Sequence, residues 1–271
     1  MITFRRPVAP RAKRTADITA SVSTESGRHA ATTLDRLLDG RVVLRQGRDG
    51  YRAGMDAGLL AAALDAKAGE TLAEFGCGAG AALMCAAWRL TGASFVGVER
   101  DPEAAALAAE NAAANGMGAR VRVQNADILQ LGTSLKVDQV FFNPPFFDDP
   151  KALRAPKDEK RAAWLTGDVP FADWVRCAAR ALKAKGRLTL IHRADRLADI
   201  LTALDRSFGS VVIKPIHPRS GEPAKRVIVQ ATIGGKAPLV LLAPLVLHEG
   251  EGHSAEADAI LRGRAVLEMG A

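Results

Sequence analysis

The sequence predicts an α/β fold, a doubly wound and mostly parallel sheet that ends in an antiparallel strand. Short apolar runs alternate along the chain with longer alanine-rich stretches, an alternation typical of βαβ units with right-handed crossovers. A glycine-rich loop follows the first central run, as expected where a strand turns sharply into a helix. Near the end of the chain, Val211–Ile216 and Val227–Ile233 flank a polar turn and predict the antiparallel pair.

The first part of the chain is predicted to be a basic extension. The 37 Lys and Arg outnumber the 30 Asp and Glu, which gives a net charge of +7. Five basic residues precede the first acid, Asp17, so the rest of the chain carries 7 minus 5, or +2. We predict that residues 1–30 are a disordered N-terminal segment and that residues 31–271 form a single domain. Attraction to a phosphate backbone, a targeting role and simple solvation of this segment remain open alternatives.

A short hairpin and a helix are predicted ahead of the sheet. The run Arg41–Gln46 is followed by Gly47 and Gly50, which suggests a hairpin in this part of the chain. Asp56 is a suitable N-cap for a helix over residues 57–66.

Five strands are predicted to form the parallel part of the sheet, and helices are predicted between them. The strands are Thr71–Phe75, Ser94–Glu99, Arg120–Gln124, Val137–Phe142 and Gly186–His192. The helices are Ala81–Leu90, Pro102–Asn115 and Trp164–Ala184. Asp101 is the expected N-cap of the second helix, because Pro102 suits the first helical turn.

The composition predicts a soluble protein of a reducing compartment, which we take to be the cytoplasm. Of the 271 residues, 48% are hydrophobic and 25% charged, as in ordinary globular proteins. No apolar run approaches the roughly 20 residues that a membrane-spanning helix needs. Cys77, Cys85 and Cys177 are odd in number and lack the spacing of a zinc site, so neither a disulfide framework nor a metal is expected.

The most informative loop is Asn143-Pro144-Pro145-Phe146, which ends the apolar run Val137–Phe142. Open α/β sheets bind their ligands at the carboxyl ends of their strands, where this loop is predicted to lie. The Asn143 side chain and the Pro144 carbonyl are two acceptors, which suits the two hydrogens of a planar exocyclic amine. Phe146 can cover the attached base or amide with its ring.

The loop Gly76-Cys77-Gly78-Ala79-Gly80 joins the first central strand to its helix and predicts a nucleotide-type cofactor site. Glycines let the backbone approach a ligand closely, and the helix amino terminus favours anionic groups. Glu99 follows about 20 residues later, the spacing at which an acid binds ribose hydroxyls. The loop also fits the dinucleotide pattern G-x-G-x-x-A, so a nicotinamide cofactor is a competing interpretation.

Two acids and the proline loop argue against a nicotinamide cofactor. Glu74 precedes the glycines, where it would repel a pyrophosphate but suits the ammonium of a methionine moiety. Asp127, after the third strand, can accept a hydrogen bond from an adenine amine. A dehydrogenase has no evident need for the loop that begins at Asn143.

On these residues the chain resembles class I S-adenosylmethionine-dependent methyltransferases of Rossmann-like fold. It is most similar to their small-domain branch, which includes the adenine N6-methyltransferase of bacterial valine tRNA. The resemblance runs from about Asp39 to Ile233. It implies that S-adenosyl-L-methionine is the cofactor and that the amino-methylating motif consists of Asn143, Pro144, Pro145 and Phe146. It also implies that Asn143 faces the cofactor. The implied cofactor-binding residues are Glu74, Gly76, Cys77, Gly78 and Gly80 for the methionine portion, Glu99 for the ribose and Asp127 for the adenine.

The leading functional hypothesis is an enzyme that methylates the exocyclic amine of an adenine in RNA, most readily a tRNA. The competing hypotheses are a protein glutamine N-methyltransferase, because an amide presents the same two hydrogens, and a non-catalytic cofactor-binding or RNA-binding module. Relatives more often have tyrosine where this chain has Phe146, so stacking is retained and a hydroxyl contact is lost. Phe147, Lys151 and Arg154 are further expected substrate contacts, because a run rich in basic residues follows the motif.

Overall fold

The computed structural model describes residues 32–48, 54–145 and 169–270. The strands are β1 Thr32–Leu37, β2 Val42–Gly47, β3 Thr71–Phe75, β4 Ser94–Glu99, β5 Val121–Asn125, β6 Val137–Phe142, β7 Leu182–Arg193, β8 Phe208–His217, β9 Arg226–Ile233, β10 Val240–Leu241, β11 Leu245–Val246, β12 His248–Glu249 and β13 Gly252–His253. The α-helices are α1 Met55–Ala62, α2 Ala81–Arg89, α3 Pro102–Ala114, α4 Phe171–Ala181, α5 Leu197–Leu204 and α6 Ala255–Leu261.

The central sheet has the order β10-β8-β9-β7-β6-β3-β4-β5, and β11 also pairs with β8. Strands β5, β4, β3, β6 and β7 are parallel neighbours. The chain moves outward in one direction from β3 to β5 and then returns to place β6 on the other side of β3. In sheets of this kind ligands bind where the strand order reverses, which here is at the carboxyl ends of β3 and β6.

The predicted antiparallel pair is present, but one of its strands, β9, is an interior strand of the sheet and does not lie at its end. Strand β9 is inserted between β7 and β8 and is antiparallel to both. The start of β9 therefore lies at the same edge of the sheet as the carboxyl end of β7, where Arg193 pairs with Arg226.

Ahead of the sheet, the predicted hairpin is present with a first strand that begins earlier, and the predicted cap of the helix is wrong. The run Arg41–Gln46 does form a strand, but its partner precedes it: β1 pairs with β2 through a tight turn in which Leu38, Asp39 and Gly40 have positive φ. The N-cap of α1 is Gly54, and Asp56 lies in the first helical turn. The Asp56 carboxylate instead accepts a hydrogen bond from Arg226 Nε at 2.9 Å, which ties α1 to β9.

The helix predicted over residues 164–184 is shorter in the structure. Helix α4 begins at Phe171, directly after Pro170, and ends at Ala181, where β7 begins. Pro170 lacks a backbone N–H and suits the start of a helix. The first five residues of the predicted helix lie outside the described residues. The Asp101 cap of α3 is confirmed, since its carboxylate accepts hydrogen bonds from the backbone N–H groups of Glu103 and Ala104.

The sheet separates the apolar core into two layers. Helices α1, α2, α3 and α6 cover one face with small and aliphatic side chains, so alanine-rich helices can approach the strands closely. Helices α4 and α5 cover the other face, where aromatic side chains from β3, β6 and α4 meet. Alternation along β3 places Phe75 in the aromatic layer and Leu72 in the aliphatic layer. None of the helices in the described part of the chain is long and apolar enough to cross a bilayer.

Candidate active site

The glycine loop after β3 has a backbone conformation that favours glycine at three positions. Gly76, Gly78 and Gly80 have φ of +63°, +54° and +88°. The loop turns back on β4, because the backbone N–H groups of Gly76 and Cys77 both donate to Val98 O, at 2.8 and 3.1 Å. Gly80 is the N-cap of α2, so the loop opens directly onto a helix amino terminus.

The glycines of this loop have different surroundings. A Cβ at Gly76 would lie 2.6 Å from the far edge of the Trp174 ring, so the indole packs directly on the loop backbone. A Cβ at Gly78 would meet no atom within 4 Å. The space beside Gly76 is thus filled by the Trp174 ring, whereas the space beside Gly78 is open and a ligand can approach the backbone there.

Cys77 is a packing residue of the loop. Its Sγ lies against β4, where a Cβ on Gly97 would come within 2.9 Å of it. Burial raises the pKa of the Cys77 thiol well above its usual value, with the negative charges of Glu74 and Glu99 adding to the effect. The thiol therefore stays protonated, so Cys77 is a small packing residue of the loop and not a nucleophile.

Glu74 is a buried acid at the carboxyl end of β3, only 4% exposed. Its Oε2 has no hydrogen-bond partner among the described residues. Burial raises the pKa of the Glu74 carboxyl well above its usual value, a hydrogen bond from the Leu83 backbone opposes this, and the charge of Glu99 adds to it. A buried carboxyl oxygen without a partner is costly to retain. Its position beside an open glycine loop is explained if a cationic ligand group binds there.

Glu99 ends β4 and spans the glycine loop and the start of α3. Its Oε2 accepts a hydrogen bond from Gly78 N at 2.9 Å, and its Oε1 accepts one from Asp101 N at 2.9 Å. Each carboxylate oxygen has a second lone pair, so the group can still accept hydrogen bonds from two vicinal hydroxyls. The backbone contacts fix the carboxylate beside the open space at Gly78.

Asp127 follows β5 and lies at the same edge of the sheet. Its Oδ1 accepts a hydrogen bond from Leu129 N at 2.9 Å and caps a short 3₁₀ helix over Ile128–Gln130. Asp127 is therefore the N-cap of this short helix. This role leaves Oδ2 for another donor, so capping and recognition of an adenine amine are compatible.

Asn143, Pro144 and Pro145 leave the carboxyl end of β6, next to β3 in the sheet. Phe142, the last residue of β6, is paired in register with Phe75, the last residue before the glycine loop. Pro144 is buried and Pro145 exposed. The strand order thus brings together the two loops that the sequence singles out.

An aromatic cluster that the sequence analysis missed packs against Phe142, the residue directly before the motif. Phe142 contacts Trp174, with ring centroids 5.5 Å apart, and Phe171, at 6.3 Å. Phe171 also meets His192 edge to face at 5.2 Å. Trp174, which packs on Gly76, therefore links the glycine loop to the strand that carries Asn143. The helical spacing of Phe171 and Trp174 before Val175 was the available signal, but it is typical of any core helix.

These residues fit S-adenosylmethionine. The buried Oε2 of Glu74 is suited to an ammonium, the paired acceptors of Glu99 to a ribose diol, and Asp127 to an adenine amine. The open backbone at Gly78 admits the ligand between them. When bound, this cofactor supplies an electrophilic methyl group on a sulfonium centre.

A family model described as the methyltransferase small domain matches residues 52–215. The chain belongs to this family. A relative in Yersinia enterocolitica, described as a tRNA1(Val) (adenine(37)-N6)-methyltransferase, is 28% identical over 76% of this chain and 82% of its own length. A relative of the same description in Porphyromonas gingivalis is 34% identical over 47% of this chain.

The solved structure of a predicted O-methyltransferase from Agrobacterium tumefaciens superposes on this chain with a TM-score of 0.64. The two are 32% identical, and the match covers 79% of this chain and 98% of that one. These matches confirm the predicted fold, the family and the S-adenosylmethionine cofactor, and the nicotinamide interpretation is set aside. The chain spans only 51% of the Porphyromonas relative and 63% of a similar Flavobacteriaceae protein.

Part of the predicted substrate site lies outside the described residues. Phe146, Phe147, Lys151 and Arg154 belong to this part. Among the basic residues near the turn between β8 and β9, Arg219 donates to Gly250 O at 2.6 Å, and Arg226 is paired with Asp56. Lys225 is exposed.

Alanine is expected to have different effects at Gly76 and at Gly78. Gly78→Ala should destabilise the protein by about 1–2 kcal/mol, the usual cost of a left-handed alanine. Gly76→Ala adds an overlap with the Trp174 ring and should cost about 2–5 kcal/mol. Thermal unfolding checks the order of the two variants. A Gly76→Ala protein as stable as Gly78→Ala would contradict the packing of Trp174 on the loop.

Proposed function

We propose that this methyltransferase transfers a methyl group to the exocyclic amine of an adenine in RNA, with tRNA as the substrate class. The observation that carries the proposal is the position of Asn143-Pro144-Pro145 at the carboxyl end of β6, beside the glycine loop at the reversal of strand order. The two relatives described as adenine N6-methyltransferases of tRNA support the choice of substrate. The proposed compartment is the cytoplasm, in agreement with the three free cysteines among the described residues.

In the proposed mechanism Asn143 and Pro144 orient the target amine. The Asn143 side-chain oxygen and the Pro144 carbonyl accept one N–H each, so the nitrogen is held with its lone pair available. Neither group needs to act as a base, because the nitrogen can release its proton after it has received the methyl group. Alignment of reacting groups can recover on the order of 7–11 kcal/mol of a barrier, which makes orientation the main contribution of this loop.

The remaining roles divide between cofactor and base. The cofactor is proposed to be held by Glu74, Gly76, Gly78, Gly80, Glu99 and Asp127, with Cys77 packed beneath them. Phe146 and Phe147 are proposed to stack on a base that is unpaired or flipped out of its helix. Lys151 and Arg154 are proposed to contact phosphates. The proline pair stiffens the motif, since proline fixes the backbone φ angle.

The proposed substrate is tested by incubating the purified protein with radiolabelled S-adenosylmethionine and an extract of cells that lack the protein. We expect the label in the tRNA fraction, and digestion should release it as N6-methyladenosine. Label found only in protein would overturn the RNA assignment and favour the glutamine alternative. The absence of turnover with either fraction would favour a non-catalytic binding module.

A further inference from the structure

The β1–β2 hairpin has a buried face and a basic outer face. Val42, Leu44 and Gln46 alternate into the core, whereas Arg36 and Arg45 are exposed on the other side. Leu34, opposite Arg45 in the register, is 58% exposed on this outer face. The outer face of the hairpin therefore carries two arginines together with Leu34, Val43 and Thr32, and Arg45 Nη1 donates to Thr32 Oγ1 at 3.5 Å.

The two acids of the hairpin do not neutralise this face. Asp35 accepts a hydrogen bond from Gln46 Nε2 at 2.8 Å, on the inner side. Asp39, in the turn, is bound by Arg262 and Arg264 at 3.1 and 2.9 Å. Both acids are thus engaged away from the outer face.

The arginines of the outer face lie close together without a carboxylate. Arg36 is opposite Val43 and Arg45 is opposite Leu34, so the two arginines are diagonal neighbours across the strands. Such positions are roughly 7–8 Å apart, where like charges repel. Within residues 32–48, 54–145 and 169–270, neither arginine makes a salt bridge.

Three other arginines near the catalytic edge are paired with acids. Their salt bridges join Arg193 to Asp195, Arg196 to Asp199 and Arg226 to Asp56. Unneutralised arginines on a pleated surface are suited to an anionic partner that carries several charges.

The hairpin is held firmly beside the glycine loop. The Asn111 side chain accepts a hydrogen bond from Arg45 N and donates to Arg45 O, at 2.8 and 2.9 Å, and it also donates to Ala79 O at 2.9 Å. Asn115, one helical turn later, forms the same pair with the backbone of Val43, at 2.9 and 2.7 Å. Arg45 is thus separated from the glycine loop by a single amide side chain, which is itself 2% exposed.

We propose that the outer face of the β1–β2 hairpin binds the phosphate backbone of the RNA and guides the substrate towards the loop at Asn143. The inference rests on the proposed function and deepens it. The hairpin precedes residues 52–215, which the family model matches, so the surface belongs to this chain's own N-terminal part. The basic residues before Asp17 lie on the N-terminal side of β1 and extend the same positive charge along the sequence.

The test is a matched pair of double variants. R36Q/R45Q removes both charges from the hairpin and keeps polar side chains there. R206Q/K236Q removes two charges from exposed positions beside the start of β8 and the end of β9, at the opposite edge of the sheet. Binding of a tRNA fraction is measured across a range of salt concentrations, and S-adenosylhomocysteine affinity and thermal unfolding are measured for each protein.

We expect R36Q/R45Q to weaken tRNA binding about tenfold and to reduce the slope of log affinity against log salt by about 1.4–1.8, since each phosphate contact contributes about 0.7–0.9. R206Q/K236Q should change tRNA affinity by less than about twofold, because its sites lie away from the catalytic edge. Cofactor affinity and unfolding temperature should stay as in the wild type for both variants.

Two results separate the failure of this inference from that of the proposed function. A wild-type protein that methylates RNA while R36Q/R45Q keeps the wild-type salt slope overturns the hairpin surface alone. A wild-type protein that neither binds nor methylates RNA overturns both. Equal loss of binding in the two double variants would show only a general charge effect and would also overturn the hairpin surface.

Discussion

Replacement of Asn143 by alanine is expected to lower the rate of methyl transfer by about 10²–10³-fold, the usual cost of removing one preorganised hydrogen-bonding group from an active site. Asn143 follows the last residue of β6. It is not one of the three acids proposed to hold the cofactor, which are Glu74, Glu99 and Asp127. Affinity for S-adenosylhomocysteine should therefore stay within about threefold of wild type, a difference below 1 kcal/mol. Single-turnover rates and calorimetry measure the two quantities separately.

Two further variants serve as a comparison and a control for Asn143→Ala. Asn143→Asp should be milder than Asn143→Ala, because a carboxylate still accepts hydrogen bonds from an amine. Gln130→Ala, at an exposed position of the 3₁₀ helix that follows β5, should leave turnover unchanged. Near-normal turnover of Asn143→Ala would show that the loop does not orient the amine.

Replacement of Glu74 by glutamine is expected to stabilise the protein without cofactor and to weaken cofactor binding. Burial raises the pKa of Glu74, so the folded protein retains a proton that the unfolded chain releases at about its ordinary value. Between the ordinary pKa and the raised one, the unfolded state binds fewer protons. The free energy of unfolding therefore falls as the pH rises, by about 1.4 kcal/mol for each pH unit, and levels off above the raised pKa.

Glutamine does not titrate, so Glu74→Gln should remove this loss. The stability difference between variant and wild type should grow as the pH rises above the ordinary carboxyl range. The same change removes the charge proposed to face the cofactor ammonium, and affinity should fall about 10- to 100-fold, as for a lost hydrogen bond to a charged group. Ligand binding in the wild type should release a proton, because an adjacent ammonium favours the ionised carboxyl.

Thermal unfolding at several pH values and calorimetry in buffers of different ionisation enthalpy measure these effects. Glu110→Gln, at an exposed position on α3, is the control and should alter neither stability nor binding. If Glu74→Gln destabilised the unliganded protein at neutral pH, the carboxyl would have to be ionised and paired in the fold.

The parallel part of the fold was predictable because its elements are sharply bounded in the sequence. Thr71–Phe75, Ser94–Glu99 and Val137–Phe142 begin and end where the sequence predicts, since glycine, proline or acidic residues follow each apolar run. Asp101 and Pro102 mark the start of α3 in the same way. The site loops follow from these strands, because carboxyl ends of parallel neighbours share an edge.

The parts that could not be predicted depend on contacts distant in sequence. β2 needs a partner, and the run Arg41–Gln46 contains nothing that says whether that partner precedes or follows it. Asp56 fits an N-cap locally, but Arg226 binds it from 170 residues away. The packing of Trp174 on Gly76 likewise joins a helix and a loop that are far apart in the chain.

Mass spectrometry of tRNA nucleosides from cells with and without this protein tests the proposed methylation of adenine directly. The proposed function predicts that N6-methyladenosine falls in the tRNA of the deficient cells. The wild-type gene should restore the modified nucleoside, and the Asn143→Ala variant should not. An unchanged level of N6-methyladenosine in tRNA from the deficient cells would contradict the proposal that the chain methylates adenine in tRNA.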